Sequence, residues 1–138
     1  MAKIKGVPQA YKEFVKDCCQ KAAWSIGVMH YQVDIHYMDE EKSEDGYVTR
    51  GEMKTDRRYL RGVLRLYPHV LEDWKKGERG QVKDVVFHEI SHLATQHLYD
   101  VAIATYRDEG EMKDAWETLT EVVSRLALRI DKLENKKK

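Results

Sequence analysis

Residues 88–92 read His-Glu-Ile-Ser-His, two imidazoles four positions apart with a carboxylate directly after the first. Four residues is close to one helical turn, so on a helix both rings project from one face and can converge on a single ion. Glu89 then lies about 100° further round, off that face but within reach of a water beside the ion. Two histidines and a carboxylate form a donor set that holds zinc and keeps one position open for water, whose pKa falls toward about 7. A carboxylate placed like Glu89 takes the proton of a water attacking a carbonyl and returns it to the leaving group. The expected chemistry is therefore hydrolysis, with zinc as cofactor, His88 and His92 as ligands and Glu89 as general base. Val85, Val86 and Phe87 precede the motif and Leu93 and Ala94 follow it, which marks a buried helix. Two histidines and a glutamate are costly to bury without a ligand.

A third protein donor is needed. His97 comes five residues after His92, which on a continuous helix turns it about 140° away. The segment 116–127 offers Glu117 and Glu121, one turn apart on a shared face. Glu121 followed three residues later by Ser124 resembles the glutamate-then-serine spacing of gluzincins of the thermolysin type, with Arg125 standing where that motif carries an aspartate. The resemblance implies Glu121 as third ligand. Were Glu117 the ligand instead, Glu121 would fit the part of a carboxylate that orients a histidine. The histidine-glycine-histidine continuation of metzincins is absent. Tyr99 and Tyr106 are candidate donors to a developing oxyanion.

These residues must be carried by a frame. Apolar residues from Ala10 and Tyr11 to Trp24 recur at helical spacing between Pro8 and Gly27, predicting an amphipathic backing helix. From Tyr31 to Met38 the period becomes two, with Tyr31, Val33, Ile35 and Tyr37 on one face, which predicts a half-buried strand. The acidic stretch Asp39 to Gly46 reads as a hairpin loop, and a short strand is expected from about Tyr47. Tyr59 to Tyr67 alternates again, placing Leu60, Gly62, Leu64 and Leu66 inward and Arg61, Val63 and Arg65 outward, with Pro68 ending the run. This strand is expected to be the sheet edge that borders the cleft and pairs with extended substrate. A short helix around Val70, Leu71 and Trp74 closes at Gly77. A long one follows from Gly80 through the motif, with a break expected between His97 and Asp100. The last helix is predicted from about Glu111 to Leu133, its core face formed by Trp116, Leu119, Val123, Leu126, Ile130 and Leu133.

The order of backing helix, small sheet, motif helix and glutamate helix resembles the minigluzincins and the small putative metallopeptidases common in phage genomes. The resemblance covers about Pro8 to Leu133, and HEISH is its one specific motif. It implies a single α+β domain over 1–138 with a small, mostly antiparallel sheet of about three strands, and peptidase activity on a peptide or protein substrate. Two other functions share the motif: a zinc-binding regulator or inhibitor of the same fold that acts through a partner, and hydrolysis of a non-peptide amide such as cell-wall material. Glu89 favours catalysis, because a purely structural ion needs no base beside it. With 24 basic and 24 acidic residues the chain has no field to draw it to nucleic acid or an anionic membrane. No apolar run has the length of a membrane span. The adjacent Cys18 and Cys19 are badly placed for a mutual bridge and read as reduced thiols, which leads to the expectation of a cytoplasmic protein.

Overall fold

Pro8, extended at φ −60° and ψ 140°, leads into helix α1 over Gln9–Ile26. The helix ends at Gly27, whose φ of 84° lets its N–H turn back to the Ala23 carbonyl. Tyr11, Val15, Cys18, Cys19 and Ala22 form its buried face. Trp24, expected among them, is 66% exposed. The computed structural model describes residues 6–105 and 109–136, with the side chains of His97, 102–105 and 109 outside the description.

Five strands follow: β1 Gln32–Tyr37, β2 Lys42–Glu44, β3 Tyr47–Thr49, β4 Gly51–Asp56 and β5 Arg61–Leu66. β2 and β3 make a separate antiparallel hairpin. Its two turn residues, Asp45 and Gly46, have φ of 52° and 79°. Positive φ at both positions is the demand of the tightest hairpin turn, and Asp-Gly meets it. β2 therefore falls inside the stretch expected to be loop.

The main sheet has the order β1-β5-β4, with β1 parallel and β4 antiparallel to β5. Two of the three strand pairings in the fold are thus antiparallel, as the predicted α+β class requires. The expectation for the strand of residues 59–67 needs correction. β5 buries Gly62, Leu64 and Leu66 as its alternation demands, yet it is the central strand and pairs on both sides. The two edges are β1 and β4. Leu60, expected inward, lies in the preceding turn at φ 53° and is 41% exposed.

Helix α2 spans Pro68–Lys75, α3 Arg79–Thr105 and α4 Glu109–Lys136. α3 runs without the break expected near His97. It is the hub of the fold, touching α1, α2, α4, β4 and β5, and its Val82, Val86, Phe87, Ile90 and Leu93 join α1 and β5 in one core. Two glycines permit a close approach of sheet and helix: a Cβ on Gly51 would meet Glu89 Cγ at 3.0 Å, and one on Gly62 would meet Leu93 Cδ2 at 3.0 Å.

α4 turns a different face inward from the one its aliphatic spacing predicts. Thr120, Ser124, Ala127 and Asp131 are buried, while Leu126, Ile130 and Leu133 are 51%, 42% and 60% exposed. The reason is the partner. The facing side of α3 carries His88, His92 and Thr95, and Lys83 pairs with Asp131, so polar and small residues complement it better than leucines. Cys18 and Cys19 are both free and buried, and burial pushes their thiols up to about 11 and 12. Among the described residues no helix is long and apolar enough to cross a membrane.

Candidate functional site

His88 and His92 leave α3 one turn apart, with ring centroids 5.0 Å from each other at 86°. α4 brings Glu117 across both. Its Oε2 lies 3.2 Å from His88 Nε2 and its Oε1 3.5 Å from His92 Nε2. One donor atom from each of the three residues falls within 4.8 Å of the others, the gathering a metal ion needs. Glu121, expected as the third ligand, occupies another place: its Oε2 is 2.8 Å from His88 Nδ1, on the far side of that ring, and its Oε1 forms an ion pair with Arg125 Nε at 3.1 Å.

Electrostatics mark the same point. Burial works against a charge on His88, but the hydrogen bonds and charges of Glu117, Glu89 and Glu121 outweigh it and push its pKa up to about 9. His92, buried more deeply, is pushed down to about 4. Two carboxylates drawn onto one imidazole, with a third nearby, make a pocket suited to positive charge, and nitrogen and oxygen donors suit zinc.

Glu89 lies beside the cluster and outside it. It is 8% exposed, with Oε2 4.0 Å from His92 Nε2. Burial pushes its pKa up to about 7, only partly countered by the charge of His88 and a backbone hydrogen bond from Met53 in β4. A buried carboxyl poised near neutrality is the profile of an acid–base group. It also stands where two clefts meet. One, about 360 Å³, is lined by Arg50, Asp84, Val85 and His88; the other, about 320 Å³, by Glu52, Met53, Lys113, Trp116 and Glu117. Both share Thr49, Gly51 and Glu89. The β3–β4 segment thus walls a groove that passes over Glu89.

Tyr99 stacks on Trp116, with centroids 4.1 Å apart, and so packs behind the cluster. Tyr106 lies outside the described residues. The sequence pattern did not single out Thr95, Thr120 or Gly51. The hydroxyls of Thr95 and Thr120 are 2.8 Å apart beneath His92, and their only signal is a β-branched polar residue on a helix face otherwise meant for packing. A second gathering, Glu41, His69 and Glu72, has two exposed carboxylates. Comparison with protein-family models, curated proteins and solved structures finds no match for the chain.

Proposed function

We propose that this protein is a zinc-dependent metallopeptidase of the gluzincin type. Its ligands are His88, His92 and Glu117, with Glu121 orienting His88 through Nδ1. The observation that carries the reading is Glu89: a buried carboxyl with no lysine or arginine paired to it among the described residues, set between the two clefts and 4.0 Å from His92 Nε2. A structural metal site has no use for such a group, whereas hydrolysis requires it.

Zinc in this donor set supplies a Lewis acid that polarises the scissile carbonyl and acidifies water. The chain's own residues do the rest. Glu89 takes the proton of the attacking water and passes it to the departing amine, and burial keeps its carboxyl basic enough for the first transfer and acidic enough for the second. The Met53 hydrogen bond and the approach of Gly51 hold that carboxyl against β4. The side of β4 away from β5, which has no strand partner among the described residues, supplies main-chain groups to an extended peptide, which favours peptide bonds as the target.

Zinc content and casein hydrolysis, measured on the wild type and on Glu89→Gln, test the proposal. Wild type is expected to hold about one zinc per chain and to cleave; Glu89→Gln is expected to keep the zinc and lose at least about a hundredfold in turnover. A wild type that cannot be loaded with zinc, or a variant that cleaves as fast as wild type, refutes it.

A further inference from the structure

His92 is held from behind by a chain of hydrogen bonds that ends where it began. Trp116 Nε1 donates to Thr95 Oγ1 at 2.9 Å. The Thr95 and Thr120 hydroxyl oxygens are 2.8 Å apart. Thr120 Oγ1 donates to the Trp116 carbonyl at 2.8 Å, and lies 3.3 Å from His92 Nδ1. Thr95 and Thr120 are both buried.

The direction of each bond follows from what its ends can donate or accept and, for the hydroxyls, from the shorter of the contacts open to them. An indole N–H only donates and a carbonyl only accepts. Thr95, accepting from the indole, has two acceptors within reach of its one proton, Thr120 Oγ1 at 2.8 Å and the Ser91 carbonyl at 3.4 Å, and the shorter contact goes to Thr120. Thr120 in turn spends its own proton on the Trp116 carbonyl at 2.8 Å rather than on His92 Nδ1 at 3.3 Å. Thr120 then has only a lone pair left to offer His92. In the pattern of shortest contacts Nδ1 carries the imidazole proton and Nε2 the lone pair. That lone pair faces the carboxylate oxygens of Glu117 at 3.5 Å and Glu89 at 4.0 Å, an arrangement that a cation between them resolves.

We propose that Thr120, with Thr95 and Trp116 behind it, is a positioning residue that locks His92 in the Nδ1–H tautomer and so keeps Nε2 ready for metal before any metal arrives. Without the lock, Nε2–H would donate to Glu117, and each binding event would first have to move that proton. The purpose of the lock rests on the metallopeptidase reading. Its existence does not, because the tautomer is a property of the metal-free protein.

The test is nitrogen NMR of the His92 ring in metal-free protein, combined with zinc affinity from chelator competition, on wild type, Thr120→Val and Thr120→Ser. Wild type is expected to show the Nδ1–H tautomer. Thr120→Val, which removes the acceptor and keeps the shape, is expected to shift His92 toward Nε2–H and weaken zinc about ten- to a hundredfold. Thr120→Ser, which restores the hydroxyl, is expected to recover both. A residue with only a packing role would change melting temperature and leave the tautomer alone. Wild type in the Nε2–H form, or Thr120→Val retaining Nδ1–H, overturns the inference. A wild type that shows Nδ1–H but takes up no zinc supports the lock and refutes the metal reading.

Discussion

Gly51 is the point where the sheet and the proposed base touch, and Gly51→Ala tests that contact. The new Cβ would lie 3.0 Å from Glu89 Cγ, 3.2 Å from Val85 Cγ1 and 3.5 Å from the Arg65 carbonyl oxygen. Val85 cannot yield easily, because a β-branched side chain on a helix is held in one rotamer. Glu89 or the β4 backbone must move by a few tenths of an ångström. Overpacking of this kind costs about 1–3 kcal/mol, offset by about 0.4–1 kcal/mol from the stiffer unfolded chain. The net loss of roughly 1–2 kcal/mol corresponds to about 3–6 °C in melting temperature for a chain of this size. Displacing a general base by a fraction of an ångström costs turnover as well, on the order of tenfold, since a full ångström can cost about a hundredfold. Zinc content should hold, because Glu89 is not among the ligands. Gly62→Ala is the control: its Cβ meets Leu93 Cδ2 and Met53 Sδ at 3.0 Å, flexible side-chain ends away from the base, so it should lose some stability and little activity. Calorimetry, zinc analysis and casein cleavage on both variants decide the matter. If Gly51→Ala cleaves at the wild-type rate with its melting temperature lowered, the position of Glu89 is not set by β4.

Glu117→Ala should abolish zinc binding, whereas Glu121→Ala should weaken it by about ten- to a hundredfold; chelator competition reporting the opposite order would return the ligand role to Glu121. Val63→Pro should prevent folding, because Val63 faces Asp34 on one side and Lys54 on the other, and proline is excluded from a strand paired on both edges; a folded variant by circular dichroism would contradict the central place of β5. Burial alone would raise the pKa of Glu52, but its hydrogen bonds from Lys42 and Tyr67 prevail and hold it below its ordinary 4.5. The stability that Glu52 contributes is thus complete above about pH 4.5 and lost as pH falls through the lower folded value. The gap in urea stability between wild type and Glu52→Gln should accordingly be constant from pH 7 to 5 and shrink below that, and a gap that widens in acid would refute it.

The motif was legible because its meaning is local: residues four apart on a helix share a face whatever the rest of the chain does. The alternation of β5 was legible for the same reason, but its neighbours were not. Nothing within residues 59–67 says whether one strand or two lie beside it, and the second partner, β4, reads Gly-Glu-Met-Lys-Thr-Asp, too polar to announce itself. β2 hid in an acidic run, though Asp45-Gly46 was its proper signal. α4 misled for a physical reason. Its aliphatic spacing is real, but the face turned inward is chosen by what waits there, and two histidines and a threonine prefer glutamate and hydroxyls to leucine. The choice between Glu117 and Glu121 depended on that rotation and on which nitrogen of His88 each could reach, neither of which spacing alone carries.

The parallel pairing of β1 with β5 also sets an order of events during synthesis. β1 leaves the ribosome well before β5 exists, and among the described residues it has no antiparallel neighbour, since the hairpin that follows pairs with itself. The β4–β5 ribbon closes through a short turn and can form at once, whereas β1 must wait to dock onto it. During that wait Val33 and Ile35 are bare, and Gln32, Asp34 and His36, alternating with them, keep the strand from adding to another chain. The donor cluster comes later still, because His88 and His92 lie on α3 and Glu117 arrives only with α4. The His88, His92 and Glu117 donors are therefore gathered only when the last helix packs onto α3.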